Sequence, residues 1–171
     1  MANSGICIGN IKKKDLEILV DKNVKFKHMK DGDKDDYLLL QEYEERYVSL
    51  TYERIIEELS RQGQNTMEGY KITRLDHGLQ SATRAYNDGA DIDWIVGTLL
   101  HDIGDGLAPQ NHDRFSAEVI RPYVREEVTW VVEHHGIFQM IYYAHHYGWD
   151  KNARDKFCLL YTSDAADDYI R

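Results

Sequence analysis

Adjacent His101 and Asp102 lie near the end of an apolar run, Val96–Asp105 (VGTLLHDIGD), which Gly104 interrupts. An imidazole beside a carboxylate at the last turn of a buried helix is costly to bury without a compensating charge. A metal ion supplies that charge, and imidazole with carboxylate suits iron, manganese and zinc. One such dipeptide is a weak signal, because most His-Asp pairs fall on surfaces by accident. The other histidines add to it: the chain holds eight, and seven lie between His77 and His146. His77, His112 and His135, like His101, each fall on or at the end of a segment with helical periodicity. Imidazoles on separate helices plus one carboxylate are the donors of a non-haem metal centre, built where antiparallel helices face one cavity. An aspartate between two ions can give one oxygen to each.

Helices must position these side chains. Asp33 can cap a helix with Tyr37, Leu40, Tyr43, Tyr47 and Leu50 at helical spacing. Ile55, Ile56 and Leu59 continue in a second helix that ends by Gly63. The next helix places Ile72, Leu75, Leu79, Ala82 and Ala85 on one face and ends at Gly89. It carries His77 beside that stripe rather than within it. Asp91 can cap a helix buried through Ile95, Val96, Leu99 and Ile103, which delivers His101 and Asp102. Asn111 is expected to cap another, with His112 in its first turn and Phe115, Val119 and Ile120 turned inward, until Pro122 breaks it. Val124, Val128, Val131 and Val132 mark a helix with His134 and His135 in its last turn before Gly136. Ile137–Tyr147 reads as one more apolar, aromatic helix. Val24–Met29 is a short strand or an extended lead-in, with His28 facing solvent. The expected fold is all-α, a single helical bundle of about seven helices over residues 24–157. Residues 1–23 are expected to be a poorly ordered extension.

Composition narrows the function. With 171 residues, 42% hydrophobic and 30% charged, the chain has the make-up of a globular domain with a real core. Its formal charge is -9, from 30 acidic and 21 basic residues. Nucleic-acid surfaces need clustered Lys and Arg, so no nucleic-acid partner is expected. No stretch has the length of a transmembrane helix and the amino terminus lacks a signal-peptide core, so no membrane partner is expected either. Cys7 and Cys158 are the only cysteines, near opposite ends, so a disulfide framework is not expected and a cytoplasmic location is. Cys158–Asp167 (CLLYTSDAAD) resembles the conceptual translation of a transposase adapter used in sequencing libraries. Residues 158–171 are therefore read as a non-native tail, with the domain truncated near Phe157.

The order His77, His101–Asp102, His112, His135 resembles the ligand order of the HD superfamily of metal-dependent enzymes. The segments LDHGLQSA, LLHDIGD, NHDRFSAEVI and VVEHHGIF, between Tyr70 and Tyr147, are most similar to its oxygenase branch. That branch contains myo-inositol oxygenase and phosphonate-cleaving oxygenases, and also chains labelled HD-domain phosphohydrolases. The resemblance implies that His77 and His101 ligate one metal, His112 and His135 a second, and that Asp102 bridges them. It also implies a closing aspartate, for which Asp164, Asp167 and Asp168 are unsuitable because they lie in or beside the adapter-like tail.

Two metal ions are thus implied, Fe(II)/Fe(III) first, with Mn, Zn or Mg as alternatives. The first expectation is a mixed-valent di-iron oxygenase that uses dioxygen to cleave a C–P or C–C bond of a small hydroxylated substrate. The alternative is a metal-dependent phosphohydrolase, in which bound metals activate water. A third is a truncated metal-binding helical module without turnover. Asp102 and Asp105 are the candidate catalytic carboxylates. Asp105 occupies a position where several relatives carry a basic, substrate-contacting residue. Asp105, His134 and Tyr70 are candidate substrate contacts. Lys71, Arg74, Asp113, Arg114 and Arg121 could supply anion contacts, but most such residues are ordinary solvated charges.

Overall fold

The computed structural model describes residues 23–157. The expectations for residues 1–22 and 158–171, including the adapter-like tail and Asp164, Asp167 and Asp168, lie outside the described residues. Those described form six α-helices and no strand, so the all-α expectation holds. Two compact units meet between Tyr52 and Glu53.

In the first unit, an extended segment leads through a 3-10 turn, Met29–Asp31, into α1, Lys34–Ser49. Val24–Met29 is thus a lead-in rather than a strand, and His28 is exposed as expected. Asp33 and Asp36 form a reciprocal capping box at the start of α1. The Lys25 backbone N–H donates to Asp36 Oδ1 at 3.0 Å and fastens the lead-in to the helix. Helix α2, Thr51–Gln62, begins at the boundary and belongs to the second unit from Glu53 onward.

The second unit carries α3 (Arg74–Asn87), α4 (Ile92–Leu100), α5 (His112–Ile120) and α6 (Glu126–Tyr143). Helix α3 packs on α4 and α5 on α6, while α4 touches both α5 and α6. The shared core is Leu59, Leu100, Ile103, Ala117, Ile120 and Val132. Gln62 Nε2 donates to the Ile103 carbonyl at 2.9 Å, tying the end of α2 to the turn after α4.

Several elements depart from the sequence expectation. Helix α3 starts at Arg74 because Thr73 and Asp76 form a capping box there, leaving Ile72 outside. Its buried face is Gly78, Ser81, Ala82 and Ala85, and Leu79 is 48% exposed. The cause is a close approach: a Cβ on Gly78 would lie 2.6 Å from the Leu99 carbonyl oxygen. Small residues face α4, and His77, four residues before Ser81 and eight before Ala85, lies on that same face. Asn111 stands before α5 without a side-chain capping bond, at φ -148° and ψ 35°. Ser116, not Phe115, turns inward from α5 and accepts a hydrogen bond from the Gly104 N–H at 3.1 Å. Gly136 does not end a helix: α6 runs through it, and the expected seventh helix is its last two turns plus a 3-10 turn, Ala144–Tyr147. One glycine costs a helix about 1 kcal/mol, which the buried Val128, Val132, His135 and Phe138 along α6 offset.

The tight seam between α3 and α4 yields a prediction. Gly78→Ala gains helix propensity worth about 1 kcal/mol but pushes a methyl into backbone, and overpacking costs about 1–3 kcal/mol. We expect a net loss of stability, read as a lower urea midpoint. An unchanged or raised midpoint would contradict the close approach.

Candidate metal centre

Asp102 is the hub. It lies in the turn after α4, 8% exposed, with His101 beside it fully buried. Its Oδ2 is 3.6 Å from His77 Nε2 and 3.5 Å from His101 Nε2. Its Oδ1 is 3.4 Å from His112 Nε2 and 3.3 Å from His135 Nε2. Each carboxylate oxygen therefore addresses its own pair of imidazoles. Within the pairs, the Nε2 atoms lie 3.1 Å apart for His77 and His101 and 3.3 Å apart for His112 and His135. The five residues expected from the sequence are thus brought together from α3, the turn after α4, α5 and α6. They form two donor groups, His77–His101–Asp102 and Asp102–His112–His135, each with its ligand atoms within 4.8 Å of one another.

Hydrogen bonds fix the rings. His101 Nδ1–H donates to the Thr98 carbonyl at 2.7 Å and His135 Nδ1–H to Val132 at 2.7 Å. His112 Nδ1–H donates to Pro109 at 3.1 Å, so the loop proline serves as an acceptor. A neutral imidazole with its proton on Nδ1 presents a lone pair at Nε2. In the His112–His135 pair both rings are held this way, so two lone pairs face each other beside a carboxylate oxygen. Such an arrangement cannot be a hydrogen bond between neutral rings, and it is the donor set a cation requires.

The electrostatics favour neutral rings at His101 and His77 and a more basic one at His135. Burial lowers the His101 pKa from 6.5 to about 4, keeping the ring neutral. Burial also lowers that of His77. For Asp102, burial alone would favour the neutral acid, but His101, His135 and Arg74 hold the carboxyl well below the usual range. Burial likewise opposes a charge on His135, yet its bond to Asp102 prevails and raises its pKa.

The remaining candidates fare differently. Asp105 is 7% exposed, and its Oδ2 lies 2.6 Å from Arg74 Nε. Its carboxylate is paired with the half-buried Arg74 guanidinium. Tyr70 is 57% exposed and lies under the Arg74 guanidinium, 4.8 Å from its ring centroid. His134 stands apart from the donor groups. It donates from Nδ1 to the Trp130 carbonyl at 2.8 Å, stacks on Trp130 at 4.4 Å and meets Phe157 edge-on at 4.8 Å. Arg74 is the residue that sequence reasoning misjudged, as a solvated charge. Two buried carboxylates three residues apart call for a nearby cation, and Arg74, three residues before His77 on α3, supplies it.

Comparison with known proteins matches the HD domain to residues 74–169 of this chain. A 1-hydroxy-2-(trimethylamino)ethylphosphonate dioxygenase (glycine-betaine-forming) of Leisingera caerulea is 33% identical over 86 residues, covering 44% of this chain. The chain spans 44% of the length of that relative. No helix among the described residues is long and apolar enough to cross a membrane. With the HD match over more than half its length, and its five ligand-type residues gathered on one carboxylate, this chain belongs to the HD-domain family, with its similarity on the oxygenase side.

Proposed function

We propose that this chain carries the metal centre of a di-iron oxygenase acting on a small hydroxylated phosphonate, with dioxygen as co-substrate. The observation that carries the proposal is the division of Asp102, with Oδ2 facing His77 and His101 and Oδ1 facing His112 and His135. A carboxylate so placed serves two ions, and the oxygenase relative, which acts on a hydroxyphosphonate by its name, supplies the reaction class. The donor chemistry of the residues fits iron, and manganese or zinc as alternatives.

His77, His101, His112 and His135 would hold the ions through Nε2, with Asp102 between them. A bound iron pair supplies one-electron and dioxygen chemistry that amino-acid side chains lack. The protein's own contribution is positional. The carbonyls of Thr98, Val132 and Pro109 set three tautomers. Ile103 and Val132, next to Asp102 and one turn before His135 in the chain, are buried in the hydrophobic core that backs these elements. Cleaving a hydroxyphosphonate C–P bond with dioxygen leaves a carboxylate and inorganic phosphate, each taking one oxygen atom. Asp105, the expected acidic discriminator, is paired with Arg74.

The test is oxygen uptake with hydroxylated phosphonates by iron-loaded protein, alongside electron paramagnetic resonance of partly oxidised samples. The expected result is a coupled mixed-valent signal, with oxygen consumed and phosphate released in equal amounts. Phosphate released from esters without oxygen uptake, on redox-silent metals, would replace the proposal with the phosphohydrolase reading.

Two further outcomes are expected. Asp102→Ala abolishes binding of both ions, since one side chain serves two sites. Full metal stoichiometry in that variant would remove Asp102 from its role. Metal affinity also falls on acidification, because metals compete with protons for imidazole. The His135 pKa is raised while those of His77 and His101 are lowered, so the His135 ring gains a proton before theirs as pH falls, and the Asp102–His112–His135 group weakens before the other. His101, at about 4, stays neutral through that range. A Co(II) titration from about pH 8 to about pH 5 reads this, and an affinity that does not change with pH would contradict it.

A further inference from the structure

We propose that Arg74 is a positioning residue that locks the rotation of the Asp102 carboxylate and so keeps one oxygen facing each histidine pair. This rests on the metal-centre reading above. Arg74 projects from the first turn of α3 and reaches two carboxylates on the turn after α4. Its Nη1–H donates to Asp102 Oδ2 at 3.3 Å, and its Nε lies 2.6 Å from Asp105 Oδ2. The second contact is charge against charge rather than an aligned hydrogen bond. The Tyr70 ring packs on the guanidinium at 4.8 Å and limits its swing.

The arrangement has a direction. Arg74 touches Oδ2, the oxygen on the His77–His101 side, and no bond from it to Oδ1 is seen. Asp105 turns its other oxygen, Oδ1, toward His112 Nδ1 at 3.8 Å. That imidazole nitrogen already bonds to Pro109. Asp105 thus anchors the arginine, and the arginine anchors Asp102. A planar guanidinium can hold two carboxylates at fixed angles, whereas an ammonium is a single point charge on a flexible stem. Without the fork, Asp102 can turn about its last bond and Asp105 is released into the same space.

Charge and position predict opposite effects, which makes the role testable. If Arg74 only balances charge, removing it makes the centre more negative and tightens metal binding. If it positions Asp102, removing it weakens binding, by the roughly 10- to 100-fold typical of groups that orient metal ligands.

The experiment titrates Co(II) into the full chain and into Arg74→Gln and Arg74→Lys, following the cobalt absorption bands, with circular dichroism to verify folding. We expect about 10- to 100-fold weaker binding in Arg74→Gln, weaker binding also in Arg74→Lys despite its retained charge, and altered cobalt bands in both. Equal or tighter binding in Arg74→Gln, or unaltered binding and bands in Arg74→Lys, would overturn the positioning role. Should Arg74→Gln fail to fold, Arg74→Lys decides by itself. A wild-type chain that takes up no Co(II) would sink the metal-centre reading itself, and this role with it.

Discussion

The burial of one carboxylate governs this structure. Asp102 is nearly enclosed, among four imidazoles and an arginine. A lone ionised carboxylate in such a place is strongly disfavoured, so its surroundings must supply compensating donors or charge. The elements of the second unit each bring one part of that compensation. Helix α3 brings His77 and Arg74, the turn after α4 brings His101, and α5 and α6 bring His112 and His135. No two neighbouring helices could complete the set.

Close packing is how these elements converge. A Cβ on Gly78 would meet the Leu99 carbonyl oxygen, and one on Gly97 would collide with Val128. One on Gly104 would lie 2.9 Å from the His112 carbonyl oxygen. These contacts join α3 to α4, α4 to α6, and the Asp102 turn to α5. The three glycines therefore set how closely the elements that carry the ligands approach one another. The same turn is braced from behind by Gln62 on the Ile103 carbonyl. The metal-binding geometry is a consequence of helix packing before it is a matter of ligand choice.

Much of this was legible in the residue pattern. The helical periods placed His77, His101, His112 and His135 on separate elements, and Asp33 and Asp91 cap α1 and α4 as expected. What escaped has a physical reason in each case. Leu79 fits a helical stripe by spacing, but a small-residue face won the contact with α4 because backbone can approach backbone there. Gly136 reads as a stop, yet tertiary packing along α6 exceeds the modest cost of a glycine. Arg74 reads as solvent-facing because local sequence carries no sign of carboxylates buried 28 and 31 positions away. The part of the pattern that falls beyond Phe157 lies outside the described residues.

Anomalous diffraction from crystals of the iron- or manganese-loaded chain is the most direct test of the central claim. Two peaks are predicted, one bounded by His77, His101 and Asp102 and the other by Asp102, His112 and His135, with one Asp102 oxygen toward each. A single peak, or two peaks that do not share Asp102, would contradict the bridging carboxylate on which the account is built.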